Sequence, residues 1–211
     1  FVNEPLVNDH PLLTAKNILL TPHLGASTTE AKESVSKGIC QQMVDYLKND
    51  KLRNTLNTPV ADMSILKVLS PYLQLADILG KIQVQLSTGA IKTINVECFG
   101  PMDDTKTISL SFIKGLLENI SGSRINFINA HAVAKERGIS VSNTHNSDQV
   151  SFSNLIITHV ESESGSIEVA GSVFGDNHSR VVGIMGYEVD VKPEGNMLFM
   201  KNKDIPGVIG K

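Results

Sequence analysis

The residues best suited to proton chemistry lie near the start of the chain. His23 follows residues 17–21, an apolar run of strand length that ends at Pro22. A histidine in a glycine-containing loop after a strand stands where an α/β sheet presents side chains to a ligand. A carboxylate such as Glu4, bonded to the far ring nitrogen, would fix the tautomer and stabilise the imidazolium. Such a pair suits removal of a hydroxyl proton while a hydride leaves the alcohol carbon.

The small residues that follow the histidine fit the same chemistry. Gly25 and Ala26 leave room for a flat cofactor to lie against the backbone. Taken alone the signal is weak, because a single histidine beside a proline is more often a turn or core residue. Both interpretations remain open on spacing alone.

The sequence on either side of His23 resembles that of a known enzyme family. The segment NILLTPHLGASTTEA, residues 17–31, resembles the end of the catalytic core of D-2-hydroxyacid dehydrogenases, and most of all their phosphoglycerate dehydrogenase branch. The preceding FVNEP resembles the family segment whose glutamate orients the histidine. The resemblance implies that His23 is the catalytic acid/base, that Glu4 is its partner and that NAD is the cofactor, with Gly25 and Ala26 beside it.

Other family features are missing from this sequence. The nicotinamide-contacting aspartate, the substrate-binding arginine and the GxGxxG phosphate turn do not occur, and the chain starts at Phe1. We therefore expect the C-terminal part of a longer dehydrogenase, one that by itself neither holds NAD tightly nor turns over.

The elements that position the histidine follow from periodicity. Ser27 and Glu30 have the spacing of a capping box, and Val35, Ile39, Met43 and Leu47 then repeat every four residues, which predicts an amphipathic helix. A polar run, residues 48–59, predicts a linker.

A second unit is predicted to mix helices and strands. We expect a helix with Pro71 in its first turn, a strand over 91–99, and helices over 108–117 and 127–137, the last ending at Gly138. Further strands are expected at 155–157, 167–173 and within 180–191, then a turn at 193–195 and a strand from 197. The fold class is α/β.

This middle region resembles the intervening, or allosteric substrate-binding, domain of long phosphoglycerate dehydrogenases. The matching pieces are PYLQLADILG, KGLL, INFINA and AKERGI. The resemblance places Arg180 and Lys192 near a phosphate-bearing ligand, and an arginine fork suits phosphate. An equally good interpretation of the sequence is that both are solvated strand residues without a ligand.

The tail resembles the start of an ACT domain, a small-molecule regulatory module, through MLFMKNKDIPGVIG. The resemblance implies that Asn202 and Asp204 recognise an amino-acid effector, L-serine. The domains are then 1–57, the end of a Rossmann-type catalytic core; 58–195, the allosteric substrate-binding domain; and 196–211, the truncated ACT start.

Composition limits the partners. Of 211 residues, 41% are hydrophobic and 19% charged, with a net charge of -3 and no basic run, so nucleic acid is not an expected partner. No apolar run is long enough for a membrane span, and the two cysteines lack metal-ligand spacing, so no metal site is expected. We expect a cytoplasmic protein, or an organellar one whose targeting segment is absent. The family resemblance implies a homo-oligomer, a dimer or a tetramer.

Three functions follow from these observations. The first is part of an NAD-dependent enzyme that oxidises 3-phosphoglycerate to 3-phosphohydroxypyruvate, the first step of L-serine biosynthesis. The second is a stand-alone module that binds a phosphate-bearing ligand or mediates oligomerisation, without catalysis. The third is a different D-2-hydroxyacid dehydrogenase, which the middle domain disfavours.

Overall fold

The computed structural model describes residues 6–49, 51–56, 58, 63–102, 104–122, 124–146, 151–175 and 177–202. The chain forms two compact units, Phe1–Arg53 and Asn54–Lys211. The second is a mixed α/β domain, so the predicted class is confirmed in that form. In the described part of the chain no helix is long and apolar enough to cross a membrane.

The first unit is built around one long helix, α1 (Thr29–Asn49), preceded by a short 3-10 turn at Pro11–Leu13. The predicted helix is confirmed, but its cap lies one residue later than expected. Thr28 Oγ1 accepts a hydrogen bond from the Ala31 N–H at 3.2 Å, because the residue before the first helical position is the one that can reach the third N–H. Ser27 instead donates its backbone N–H to the Leu24 carbonyl at 3.0 Å.

The predicted strand at residues 17–21 does not form. Asn17 has φ +60°, which is left-handed rather than extended backbone. The described residues of this unit contain no strand with which the segment could pair, so its backbone groups have no partner in a sheet. An apolar run of strand length therefore remains a loop here.

The described residues of the second unit form three helices and six strands. They are α2 (Met63–Leu86), β1 (Ile91–Phe99), α3 (Thr105–Leu117), α4 (Ala130–Glu136), β2 (Ser140–Asn146), β3 (Leu155–Ser162), β4 (Gly165–Phe174), β5 (His178–Ile184) and β6 (Tyr187–Val191). The sheet order is β2-β1-β3-β4-β5-β6. Strands β1 and β2 are parallel and joined through α3 and α4, whereas every other described pair is antiparallel.

The core lies between the helices and one face of the sheet. Alternate residues of β1, namely Ile94, Val96 and Cys98, are buried against it, as the sequence predicted. Gln83 of α2 is also fully buried, and its Nε2 donates to the carbonyls of Thr158 and Ile167, both at 2.8 Å. This side chain joins α2 to β3 and β4 by hydrogen bonds instead of apolar contact alone.

Helices α2 and α3 approach closely at two glycines. A Cβ built on Gly115 would overlap the carbonyl of Asp77, and one built on Gly80 would overlap the Phe112 carbonyl and lie 2.7 Å from Leu116 N. Both glycines are therefore required by the distance between the two backbones.

The start of α2 differs from its prediction. Pro71 lies inside the helix, not in its first turn. Its ring removes one backbone hydrogen bond, but Leu69 and Leu73 on either side are buried, so packing maintains the helix through the proline. Propensity is overridden by tertiary contacts at this position.

The end of α4 matches its prediction. Gly138 has φ +74°, its N–H donates to the Lys135 carbonyl, and the Ile139 N–H donates to the Ala134 carbonyl, both at 2.9 Å. The helix begins at Ala130, three residues later than expected, because Asn126 Oδ1 accepts the N–H groups of two following residues and holds a turn there.

Strand predictions were partly confirmed. The predicted strands at 155–157 and 167–173 lie within β3 and β4. The region 180–191 is a hairpin that turns where Met185 and Gly186 have φ of 50° and 80°. The backbone bends at 193–195 as predicted, where Gly195 has φ +66°, but no strand follows it among the described residues. Residues 197–200 form no strand: Met197 and Phe199 pack on the core, but the described residues give them no ladder partner.

Candidate functional site

His23 lies in an exposed loop that leads into α1. Gly25, two residues on, has φ +46°, a conformation that suits glycine. A Cβ placed on Gly25 would lie 3.6 Å from Cδ2 and 3.8 Å from Nε2 of the His23 ring. The imidazole edge that carries Nε2 therefore lies over a residue without a side chain, and Ala26 beside it adds only a methyl group.

The predicted partner of His23 is Glu4. Glu4 lies outside the described residues, so the predicted carboxylate–histidine pair stays a prediction. The same holds for Asp204 in the tail.

The two predicted anion-binding residues flank the same strand pair. Val181 of β5 pairs with Val191 of β6, so Arg180 and Lys192 each lie next to this last pair of the ladder. Their separation in sequence does not predict this placement, which depends on the hairpin register.

Each of these cations is already paired. Arg180 Nη1 lies 3.6 Å from Asp190 Oδ1, and Lys192 Nζ lies 2.8 Å from Glu194 Oε1. The two carboxylates are well exposed, at 77% and 67% of their side-chain area. Exposed ion pairs of this kind contribute little stability. An anion that bound both cations would therefore displace the two carboxylates at a small cost in free energy.

Asn202, predicted to bind an effector, lines a cavity of about 420 Å³ between the β5–β6 hairpin and the tail. Lys201 also lines it, with Nζ 5.5 Å from the centre of the Tyr187 ring, a cation–π distance. The remaining lining is largely apolar and includes Leu86, Val189 and Phe199. The sequence did not predict this apolar wall, because its members come from three separate segments.

A charged row on the open face of the sheet was also not predicted. His159 of β3 lies between Glu97 of β1, with Nε2 to Oε1 3.8 Å, and Glu168 of β4, with Nδ1 to Oε2 3.7 Å. Only the strand order brings the three together. Among the described residues, no group of three or more histidines, cysteines or carboxylates is placed to hold a metal ion.

Comparison with known proteins gives a family. Residues 68–185 match the sequence profile of the D-3-phosphoglycerate dehydrogenase intervening domain. The whole chain aligns with D-3-phosphoglycerate dehydrogenase of Archaeoglobus fulgidus at 34% identity, covering 40% of that protein, and with that of Bacillus subtilis at 30% identity, covering 39%. D-3-phosphoglycerate dehydrogenase 3, chloroplastic, of Arabidopsis thaliana is 35% identical, with 39% covered. The chain thus spans about 40% of the length of these relatives.

Proposed function

The chain belongs to the D-3-phosphoglycerate dehydrogenase family and contains its intervening domain, and from that premise we propose that it supplies the catalytic histidine of the family's reaction. The reaction is NAD-dependent oxidation of 3-phosphoglycerate to 3-phosphohydroxypyruvate, the first step of L-serine biosynthesis. The observation that carries the proposal is that the relatives align over the complete chain, the His23 segment included, and not over the intervening domain alone.

In this proposal His23 moves one proton. Nε2 accepts the proton of the substrate's C2 hydroxyl and returns it in the reverse direction. Glu4, bonded to Nδ1, holds the ring in the tautomer that leaves Nε2 able to accept. His23 lies in an exposed loop, and the neighbouring Gly25 has no side chain beside the Nε2 edge of the ring.

NAD, when bound, accepts the hydride from C2. Gly25 and Ala26 fit a flat ring, because neither has a side chain that would hold it away from the loop backbone. The chain lacks the glycine-rich phosphate turn, so tight NAD binding needs residues that this sequence does not contain.

The intervening domain contributes regulation in this proposal. Arg180 and Lys192 receive the phosphate of a phosphate-bearing ligand, and the Asp190 and Glu194 carboxylates swing into solvent. Asn202 and Asp204 recognise L-serine as effector. We further propose a homo-oligomer located in the cytoplasm or, as the name of the Arabidopsis relative suggests, in an organelle.

The histidine's role is tested in the native polypeptide. His23→Gln should lower kcat for NADH formation from 3-phosphoglycerate by roughly 10²- to 10⁴-fold, the usual contribution of a general acid/base. The matched control is His131→Gln, which replaces an exposed histidine of α4 and should leave kcat within about twofold. A His23→Gln enzyme that kept a tenth of its kcat would rule out the assigned role.

A second function is favoured by the position of Arg180 and Lys192 beside the same strand pair: a binding module that acts without catalysis. The mass of the native gene product separates the two. A mass well over twice the 22.8 kDa of this sequence supports the dehydrogenase, and a mass near 22.8 kDa supports the module.

A further inference from the structure

A second cavity lies at the C-terminal end of α2 and shares no lining residue with the cavity beside Asn202. Its volume is about 380 Å³, within the usual range for small-molecule sites. The end of α2, the start of β1, the segment after α3 and the turn between α4 and β2 enclose it. Its lining residues are Val84, Ser87, Gly89, Ala90, Ile91, Ile120, Arg137 and Ile139. We propose that this cavity binds a small monocarboxylate with an apolar tail.

Arg137 is the group that receives the carboxylate. Its Nη2 donates to the Ile120 carbonyl at 2.9 Å, which anchors one side of the guanidinium at the cavity wall. A guanidinium has five N–H donors, so this bond leaves enough for a two-pronged contact with a carboxylate. Among the described residues, no aspartate or glutamate forms an ion pair with Arg137 and competes for that contact.

Ser87 provides a second polar contact. Its hydroxyl oxygen is buried at the cavity and has no hydrogen-bond partner among the described residues. A buried hydroxyl without a partner is unfavourable, and rotation of the Ser87 side chain toward the cavity would let it donate to a bound carboxylate oxygen. The feature therefore points to a ligand with an acceptor atom.

The rest of the lining selects the tail. Val84, Ile91 and Ile139 present aliphatic side chains, so the body of the ligand is apolar. Glu163 packs against Gly89, which lines the cavity: a Cβ on Gly89 would lie 2.6 Å from Glu163 Oε2. That carboxylate opposes every anion and opposes a phosphate dianion more strongly than a monocarboxylate.

The test uses the 211-residue chain with isotopically labelled isoleucine δ1 methyl groups and three probes: 4-methylpentanoate, its neutral analogue 4-methylpentanamide, and inorganic phosphate. Saturable methyl shifts are expected at Ile91, Ile120 and Ile139 with the carboxylate. The amide should bind about tenfold more weakly, and phosphate should cause no such shifts. Equal binding of the amide, or shifts spread over the whole domain, would overturn the proposal.

Two variants complete the test. Arg137→Gln should weaken 4-methylpentanoate binding about tenfold, whereas Arg124→Gln, which removes the same charge from an exposed position outside the cavity, should not. Because Arg137 also bonds to the Ile120 carbonyl, Ala90→Leu serves as an independent variant: it reduces the cavity volume, keeps Arg137, and should abolish the shifts. Unchanged affinity in Ala90→Leu, with native methyl spectra, would contradict the site.

Discussion

At the scale of single residues, the two cysteines differ in their surroundings. Cys40 lies exposed on α1, whereas Cys98 of β1 is fully buried among apolar side chains. Burial raises the pKa of the Cys98 thiol to about 12 from its ordinary 9.0, because the thiolate would lose its hydration. Cys98 is therefore a core residue, whereas Cys40 is not.

The raised pKa predicts how stability depends on alkaline pH. Below pH 9 the thiol is protonated in both states, and above it the unfolded thiol ionises while the buried one does not. The stability due to this group is therefore lost as pH rises from 9 toward 12. At about pH 10.5 the loss should be about 2 kcal/mol relative to pH 8.

Urea unfolding at the two pH values measures that loss. Tyrosine and lysine also titrate in this range, so the Cys98→Ala variant is the reference. Between the two pH values, its free energy of unfolding should fall by about 2 kcal/mol less than that of the unsubstituted protein. An identical fall in both proteins would show that the Cys98 thiol ionises as easily when folded as when unfolded.

The candidate site can be predicted from the sequence only in part. The resemblance of the neighbouring residues to a known family predicts the His23 loop, and the structure adds the position of Gly25 against the ring. The placement of Arg180 and Lys192 beside the same strand pair, by contrast, follows from the β5–β6 register, which includes an irregularity between Val181 and Gly183. A register of this kind depends on contacts between strands that no single segment encodes.

At the scale of elements, the close crossing of α2 and α3 is the most demanding contact. Gly115 of α3 faces the backbone of Asp77, and the Asp77 carboxylate pairs with Lys81 at 2.7 Å and Lys114 at 2.8 Å. The hydrogen bond to Asp77 is the main reason that the pKa of Lys81 is raised. The charges lie beside the crossing, so any increase in the distance between the helices would also disturb these ion pairs.

Gly115→Ala should therefore destabilise the second unit by roughly 1–3 kcal/mol, because the added methyl group meets backbone, which cannot move aside as a side chain can. The matched control is Gly38→Ala in α1, where nothing lies within 4 Å and helix propensity alone should give a change between zero and about 1 kcal/mol in the stabilising direction. Chemical denaturation monitored by circular dichroism gives both values. Equal effects of the two substitutions would show that the helices do not approach as described.

The elements that sequence missed share a physical cause. Strand β2, SVSNTHN, is mostly exposed and forms one edge of the sheet, so it lacks the apolar alternation by which β1 was recognised. The β5–β6 hairpin turns at Met185 and Gly186, a pair without the usual Asn-Gly signature, so the sequence predicts one strand where two form. Residues 17–21 and 197–200 have strand-like sequences but lack neighbours, since a strand requires a partner as well as a pattern.

At the scale of the whole molecule, burial is concentrated in one unit. Every buried apolar residue in the described part of the chain belongs to the second unit, from Leu69 onward. In the first unit Asp45 is the single buried residue described, and it accepts from Gln41 at 2.9 Å and pairs with Arg53 at 3.4 Å. Meanwhile the predicted apolar face of α1 is exposed, with Val35 at 61% and Leu47 at 74%.

This distribution predicts that the second unit folds without the first. A chain of residues 54–211 should unfold cooperatively, with a midpoint within about 4 °C of the 211-residue chain, because removing the first unit takes away no buried apolar side chain among those described. Differential scanning calorimetry measures both midpoints. A matched truncation that starts at residue 82 removes most of α2, with Leu75 and Leu79 of the core, and should abolish the transition. Loss of cooperative unfolding in 54–211 itself would mean that the first unit contributes to the stability of the second. That outcome would also direct attention to the exposed face of α1, since hydrophobic burial is the principal source of stabilisation that such a face could provide.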